Sequence, residues 1–376
     1  MGAASSPGAA ASSPPVAATD AQPTDILPAE HWAEQELPRE DDNDSSLGDD
    51  VGSSTASLSA SILEYRTIYG RTFHSDKSTD AQYWTPNDEK QNESMDINHH
   101  LLTLVLGGKL FRAPLKGDEI KSVIDIGTGT GLWAIDFADQ YPQASVVGTD
   151  LSPIQPTWVP PNLRFEIEDA TLEWTYKAGS FDLVHIRYLF GSVADWPALF
   201  RQAHRACRPG GYVESFEASC VMDSDDGSVA PGSPMNEWGK VFHAAGKKFG
   251  RSFRVYEDEL QRKGMEEAGF VDVEVWDFKC PLIPWPADPK LKEIGAFSRL
   301  ALEQDVEGYV LFVWSQVMGW SPQQIHVYIA HLRKQLRDPH VHAFFRMRVV
   351  YGKKPETEEP EAGPAAAAAA AASASA

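Results

Sequence analysis

An acidic residue and three glycines stand at alternate positions in KSVIDIGTGTGLWAIDF, which begins at residue 121. They are Asp125, Gly127, Gly129 and Gly131, with Thr128 between the first two glycines. Glycine adopts positive φ and lets a ligand approach the bare backbone. An acid before the turn favours a cationic or amine-bearing ligand, whereas anions prefer bare helix amides. The run predicts a ligand-binding turn where a strand gives way to a helix.

Other nucleotide motifs fit this run poorly. A dinucleotide fingerprint requires a glycine at position 132, which is Leu132, and the lysine of a phosphate-binding loop is missing. Taken alone, the run also agrees with a tight turn that binds nothing.

Further features occur downstream at suitable distances. Asp150 ends VVGTD, where a carboxylate can accept both hydroxyls of a ribose, and Asp169 ends FEIED, where it can accept an adenine amine. CRPGGYVES at 207–215 predicts a sharp turn into another strand. In doubly wound sheets, ligands bind outside the carboxyl ends of the strands, so these residues are expected to meet at one edge.

Short apolar runs alternate with helical patterns from residue 121 onward, which predicts an α/β fold with a mainly parallel sheet covered on both faces. The predicted strands are KSVIDI, ASVVGTD, LRFEIED, FDLVHIR, GYVESFE, VDVEVWDF and HAFFRMRVVYG. Residues 285–337 are predicted to be helical and rich in aromatic side chains.

Two tails are predicted to flank one domain at residues 59–354. Residues 1–58 hold eleven acidic residues against one arginine and few large apolar side chains, and residues 355–376 are rich in Glu and Ala. Such segments bury too little apolar surface to fold, so both are predicted to be disordered. Order is predicted to begin with a helix near Ile62–Tyr69, and a second helix is predicted from Ser94 to Gly107.

The composition excludes several classes of function. A formal net charge of −21 argues against direct nucleic-acid binding, which needs clustered Lys and Arg. No apolar run is long enough to cross a membrane. Three widely spaced cysteines indicate a reduced intracellular protein, expected in the cytoplasm. The histidine pairs have no recognisable ligand spacing, so no metal is expected.

The glycine turn, the two strand-end acids and the Pro-Gly-Gly turn together resemble the class I S-adenosylmethionine-dependent methyltransferases. SASILEYRTIYGRTFH, YWTPNDEKQNESMDINHHLL and VVYGKKP more narrowly resemble the fungal LaeA-like members. The resemblance implies a Rossmann-like sheet of seven strands whose last strand runs antiparallel, with an N-terminal helical segment and a helical substrate cap.

The resemblance also implies roles for single residues. Asp125 and the glycine backbone would cradle the methionine part of S-adenosylmethionine, and Asp150 would hold its ribose. Leu151 would pack on the adenine, and Asp169 with Ala170 would meet the adenine edge.

Methyl transfer requires alignment above all, and a base is needed only if the acceptor starts protonated. His185 and Arg187 alternate along FDLVHIR and point to one face, so both are catalytic candidates. A packed, hydrogen-bonded role is the favoured interpretation for His185, and Arg187 is a candidate contact to substrate or cofactor. Glu214 and Glu217 are weaker candidates, with Glu214 expected to face solvent.

Two further segments could shape a substrate site. YWTPND at 83–88 is either a segment that covers the cofactor or a surface turn at Pro86-Asn87. The aromatic residues between Trp276 and Trp320 are either core or the roof over a flat, apolar acceptor. His99 and His100 diverge on a helix and are expected to pack or cap.

Three functions follow from these patterns. The leading one is a methyltransferase of a small molecule, such as a fungal secondary metabolite. The second is a LaeA-like regulator that acts in the nucleus through protein partners, with the acidic tails as contact segments. The third is a module that holds the cofactor without chemistry.

Overall fold

The computed structural model describes residues 26–35, 37, 64–75 and 83–356. Its helices are α1 (Ala29–Ala33), α2 (Glu89–Val105), α3 (Leu132–Gln140), α4 (Trp196–Ala206), α5 (Pro234–Phe249), α6 (Leu260–Glu267), α7 (Pro289–Gln304), α8 (Val306–Phe312) and α9 (Pro322–Leu336). Its strands are β1 (Arg66–Ile68), β2 (Arg71–Phe73), β3 (Ser122–Ile126), β4 (Ser145–Asp150), β5 (Leu163–Ile167), β6 (Phe181–Arg187), β7 (Cys207–Asp223), β8 (Val271–Pro281) and β9 (Phe344–Lys353).

Seven strands form the central sheet in the order β5-β4-β3-β6-β7-β9-β8. Strands β3 to β7 pair in parallel, and β9 runs antiparallel to both of its neighbours. The predicted seven-stranded sheet with an antiparallel last strand is therefore confirmed. The order reverses between β3 and β6, which is where a doubly wound sheet opens a crevice for a ligand.

The core lies on both faces of this sheet because successive strand residues point in opposite directions. Val123 of β3 packs in a cluster with Trp133 and Phe137 of α3, whereas its neighbour Ile124 packs in a cluster with Phe200 of α4. Strands buried on both faces carry near-continuous apolar runs, which is why VIDI and LVHI contain so few polar residues.

A third layer of helices forms a cap over the carboxyl ends of the strands. Helices α5, α8 and α9, with the π-helical turn Val313–Val317 that follows α8, share one large cluster that contains Trp238, Trp314 and Tyr328. The predicted helical region at 285–337 is thus confirmed, and most of its large aromatic side chains are core residues of the cap.

The N-terminal elements differ from the predictions. The helix expected near Ile62–Tyr69 is wrong for its described residues, which form the β1–β2 hairpin instead. Tyr69 and Gly70 both adopt positive φ, 49° and 82°, and so make the tight turn that two-residue hairpins favour. The next helix is confirmed but begins at Glu89, because Asp88 caps it by accepting from the Gln91 amide.

The predicted disordered tail at 1–58 is wrong for Ile26–Gln35. Helix α1 docks on the cap, and its Trp32 is 1% exposed. Trp32 packs in the cap cluster together with Ile26, Leu27 and Ala29, and this burial orders the short segment despite its acidic surroundings. The rest of both predicted tails lies outside the described residues, apart from Leu37 and the first two residues of the C-terminal tail.

Candidate functional site

The glycine turn connects β3 to α3, and each glycine in it meets a different constraint. All three adopt positive φ, between 60° and 85°. A Cβ on Gly131 would lie 2.3 Å from Cζ of Phe165, and one on Gly127 would lie 2.5 Å from Cδ2 of Leu189. Gly129 has more room, since its nearest neighbour would be Met95 Sδ at 3.6 Å. Gly131 is therefore needed for packing against the Phe165 ring, a Cβ on Gly127 would displace the end of the Leu189 side chain, and Gly129 leaves its backbone open to the cavity.

Asp125, in the strand that leads into this turn, stabilises it. It is buried, and it accepts hydrogen bonds from Thr128 Oγ1 and from His185 Nδ1, each at 2.6 Å. Burial alone would raise the pKa of Asp125, but the bonds from His185 and Thr128 outweigh it and lower that pKa. Burial also lowers the pKa of His185. The pair is therefore a carboxylate and a neutral imidazole that donates from Nδ1.

His185 does not line the cavity. Its ring is 1% exposed and stacks on Trp133, with centroids 3.7 Å apart and planes 2° from parallel. The packed role favoured from the sequence agrees with this geometry, although the partner is a carboxylate and not a carbonyl. Asp125 and Gly131 also lie outside the wall, so they shape the turn and do not face a ligand directly.

The remaining predicted residues gather around one cavity of about 230 Å³ at the carboxyl ends of the strands. They are Gly127, Thr128, Gly129, Asp150, Leu151, Asp169, Ala170 and Arg187. Four parallel strands, β3 to β6, bring residues far apart in sequence to the same edge, as the doubly wound fold requires.

Asp150 sits at the end of β4 and binds the turn as well as facing the cavity. Its Oδ2 accepts from the Gly129 amide at 2.9 Å and its Oδ1 from the Ser152 amide at 3.1 Å. Burial raises its pKa to about 6 despite these bonds. The carboxylate therefore keeps free lone pairs for hydroxyl donors from a ligand.

Asp169 lies two residues beyond β5, which ends at Ile167 rather than at the acid. Its Oδ1 accepts from the amide and the hydroxyl of Thr171 at 2.9 and 2.7 Å. These bonds fix the carboxylate at the cavity rim.

Arg187 lines the cavity with a partner that sequence reasoning missed. Its Nη2 lies 3.1 Å from Nδ1 of His99, whose Nε2 lies 2.9 Å from Asp136 Oδ2. Because a guanidinium can only donate, His99 accepts at Nδ1 and donates from Nε2 to Asp136. Burial lowers the pKa of His99, which agrees with this neutral form. The missed signal is helical spacing, since Gln91, Met95 and His99 share one face of α2 and all line the cavity.

The segment at 83–88 covers the cavity. Tyr83, Trp84 and Thr85 line it, and Trp84 Nε1 donates to the Phe190 carbonyl at 3.2 Å. Pro86 and Asn87 are buried, so the alternative of a surface turn is wrong. Asp88, the last residue of the segment, is held in place by Arg71.

Arg71 of the β1–β2 hairpin joins the covering segment to the cap. It binds both oxygens of Asp88 at 2.5 and 2.7 Å, and both oxygens of Asp305 at 2.8 and 2.6 Å. Asp305 is fully buried. Removing a partner from such a buried ion pair leaves an uncompensated charge, so this arginine fixes the hairpin in place.

The far part of the cavity has aromatic and apolar walls. This part is defined by lining residues from the covering segment, the loop after β6, strands β7 and β9 and the cap. They include Trp84, Phe190, Cys220, Trp238, Phe242, Ala301, Leu302, Tyr309, Phe345 and Met347, together with the hydroxyl-bearing residues Ser219 and Ser298. The roof predicted from Trp276–Trp320 is thus only partly right. Helices α7 and α8 contribute Ala301, Leu302 and Tyr309, whereas Trp314 is buried in the cap.

Two buried glutamates on β7 hold neighbouring loops by accepting from their backbone amides. Glu217 accepts from the amides of Leu189 and Phe190, each at 3.0 Å, and so holds the loop after β6 against the cavity. Burial raises its pKa to about 8. Glu214 was expected to face solvent, which is wrong: it is fully buried and accepts from the amides of Arg112 and Ala113. Its strand lies between β6 and β9, where neither face is exposed.

The described part of the chain provides no metal site and no membrane span. No three of its His, Cys, Asp or Glu side chains come together as ligands. None of its helices has the length and apolar character to cross a bilayer. Cys207, Cys220 and Cys280 are all buried as free thiols.

Comparison with known proteins agrees with this architecture. Residues 97–275 match the family model of a methyltransferase domain. Methyltransferase pytC of Aspergillus terreus is 38% identical over 81% of this chain and 93% of its own length. Secondary metabolism regulator LAE1 of Cochliobolus heterostrophus is 32% identical over 76% of this chain and 94% of its own. Protein-methionine methyltransferase laeA of Emericella nidulans is 30% identical over 76% and 75%.

The family model spans the glycine turn and strands β3 to β7, and it ends within β8. The chain belongs to the class I S-adenosylmethionine-dependent methyltransferases, among the LaeA-like members, and S-adenosylmethionine is its cofactor.

Proposed function

We propose that this methyltransferase acts on a small, largely apolar molecule such as a fungal secondary metabolite. The observation that carries the proposal is the aromatic far part of the cavity. Its walls are buried side chains from β7, β9 and the cap, and residues 83–88 cover it. Such an enclosed apolar space suits a flat small acceptor better than a side chain presented by a folded protein.

The near part of the cavity fits the cofactor's own groups. Asp150 would accept the ribose hydroxyls, Asp169 would accept the adenine amine, and Leu151 with Ala170 would pack on the adenine. Arg187, with His99 as a neutral partner, would bind the methionine carboxylate by charge-assisted hydrogen bonds. The open backbone at Gly129 would lie against the methionine part.

Methyl transfer requires the protein mainly to position the acceptor relative to the cofactor. The cofactor's sulfonium supplies a methyl group that a nucleophile removes by in-line displacement. Holding an acceptor in line can contribute about 7–11 kcal/mol of the barrier. The covering segment and the cap do this by excluding water and confining the acceptor.

The test is transfer from methyl-labelled S-adenosylmethionine to a panel of hydroxylated aromatic molecules and, in parallel, to methionine-containing peptides. The proposal expects label on small molecules. Ala301→Phe, which fills the apolar end, should abolish transfer and leave the affinity for S-adenosylhomocysteine unchanged. Leu300→Phe is the matched control, because Leu300 is exposed on the same helix. Label on peptides alone, unaffected by Ala301→Phe, would refute a small-molecule acceptor.

The second candidate is a LaeA-like regulator that works through protein partners. Two relatives, at 32% and 30% identity, carry the names of a secondary metabolism regulator and a protein-methionine methyltransferase. The acidic stretch at 1–58 would then be a contact segment. Under the first candidate we expect the protein in the cytoplasm, and under the second in the nucleus. Imaging of a tagged full chain, with isolation of bound proteins, separates the two.

A further inference from the structure

Strand β7 breaks its regular pairing where it meets the cavity. Its ladder with β9 runs to Ala218, opposite Met347, and resumes at Met222, opposite Phe345. In a regular strand, neighbouring residues point to opposite faces, but here both Ser219 and Cys220 line the cavity. Such irregularities often re-aim a side chain beside an active site.

The hydroxyl of Ser219 has two hydrogen-bond partners, and neither of them lines the cavity. It donates to Oε1 of Glu257 and accepts from the Val221 amide at 3.0 Å. A serine hydroxyl has one proton and two lone pairs, so one lone pair remains. Because the residue lines the cavity, a bound molecule with an O–H group can donate to it.

Glu257 lies behind this wall, between the cavity and solvent. Its side chain is 22% exposed. Its Oε2 is 3.8 Å from Nε2 of His243, and within the described residues neither atom has a hydrogen-bond partner. Arg254 lies 3.4 Å from His243 Nδ1 and pairs with Asp258.

The surroundings favour a carboxyl group that can accept a proton. Burial, ahead of all other causes, raises the pKa of Glu257, with a further contribution from Asp258, while Ser219 and Arg254 oppose it. Burial lowers the pKa of His243 to about 4, so it is neutral at pH 7. Since Arg254 donates toward Nδ1, the His243 proton is on Nε2 and points toward Glu257. The buried Cys220 thiol completes the set of nearby titratable groups.

We propose that Ser219 and Glu257 form a proton relay that deprotonates a hydroxyl-bearing acceptor during methyl transfer. The acceptor O–H gives its proton to Ser219 Oγ while the Ser219 proton moves to Glu257 Oε1. The acceptor oxygen forms its bond to the methyl carbon, and the sulfur keeps the electron pair of the broken S–C bond. Glu257 then releases the proton to solvent.

This inference rests on the proposed small-molecule function and narrows its substrate class. A phenol holds its proton at neutral pH, so a base accelerates its methylation. A thioether, such as a methionine side chain, has no proton to lose and gains nothing from a relay. The pair Ser219–Glu257 therefore favours O-methylation of a phenol or a similar hydroxyl.

The test compares Glu257→Gln, Ser219→Ala and the control Glu267→Gln over a range of pH, with phenols that the wild type methylates. Loss of a general base costs about 10²- to 10⁴-fold in kcat. We expect both relay variants to lose at least tenfold near pH 7, with unchanged affinity for S-adenosylhomocysteine. The deficit should shrink as pH approaches the acceptor's own pKa, because the acceptor then ionises unaided. Glu267→Gln should match the wild type, because Glu267 is an exposed carboxylate that pairs with Arg201 and does not line the cavity.

Several outcomes overturn the relay. One is phenol methylation that is as fast in Glu257→Gln as in Glu267→Gln at every pH. Another is a deficit that does not vary with pH, which indicates a structural role. Label only on thioethers or tertiary amines would refute the relay but leave the methyltransferase intact. Absence of label on every small molecule would instead refute the proposed function. Melting temperatures of all three variants check that each is folded.

Discussion

Asp150 combines two tasks that a sequence pattern cannot separate. Its carboxylate holds the glycine turn through the Gly129 amide and its own loop through the Ser152 amide, and it faces the cavity. An acid at a strand end whose only role was to bind a ribose would have few hydrogen-bond partners in the protein. The structure shows that removing it also removes a support of the turn.

We predict that Asp150→Ala weakens S-adenosylhomocysteine binding by at least tenfold. Two charge-assisted hydrogen bonds to the ribose, each worth about 1.5–3 kcal/mol, would be lost, and about 1.4 kcal/mol is already a factor of ten. Asp150→Asn should be milder because the amide keeps one acceptor. Calorimetry measures both affinities, and unchanged affinity in folded Asp150→Ala would mean that the ribose is held elsewhere.

The raised pKa of Asp150 predicts the pH dependence of binding. Protonation near pH 6 removes acceptor capacity, so affinity for S-adenosylhomocysteine should fall as pH drops below about 6. The folded protein binds this proton more tightly than the unfolded chain does. Without cofactor, this group's contribution to stability is therefore lost as pH rises from about 4 to about 6. Asp150→Asn should lack the step in affinity; a step that persists would belong to another group.

At the scale of elements, the three glycines of the turn are not equivalent. Gly131 packs against the ring of Phe165, whereas Gly129 has space beside it. Both need positive φ, which costs a residue with a Cβ about 1–2 kcal/mol. Gly131→Ala adds overpacking, which costs about 1–3 kcal/mol more.

We therefore predict that Gly131→Ala lowers the melting temperature by several degrees more than Gly129→Ala does. Gly129→Ala should instead act mainly on cofactor affinity, because that backbone faces the cavity. Thermal unfolding and calorimetry on the two variants make the comparison. Equal losses of stability would show that strain in φ alone, and not the contact with Phe165, decides the effect.

The elements that the sequence predicted correctly are those whose signal is local. Apolar runs such as VIDI and the spacing of the glycines depend on neighbours along the chain, so the sheet and the turn were predictable. The β1–β2 hairpin was not, because three-residue strands are too short to show a period. His99 and the burial of Glu214 depend on contacts with Asp136, Arg187 and the Arg112 backbone, which only the folded chain brings close.

At the scale of the whole molecule, the segment Ile26–Gln35 closes one side of the cap. Trp32 packs edge-on to Tyr328 of α9, with ring centroids 5.0 Å apart. The Leu27 amide donates to Oε2 of the buried Glu237 on α5 at 3.0 Å. The segment thus contacts two helices that also carry the apolar cluster beside the acceptor cavity, which links the N-terminal region to the stability of the cap.

We predict that Trp32→Ala lowers the melting temperature, whereas Trp158→Ala does not. Truncating a buried tryptophan typically costs about 3–5 kcal/mol of folding stability. The loss here cannot exceed the free energy with which the segment docks, because the segment can detach as a unit. Trp158 is the matched control because it is 88% exposed. Deleting residues 1–25 should change little, since Ile26–Gln35 and their contacts remain, but deleting residues 1–35 should reproduce Trp32→Ala. If both Trp32→Ala and the longer deletion had the same melting temperature as the wild type, the segment would not be docked in solution. The stability of the cap would then come from α5, α8 and α9 without it.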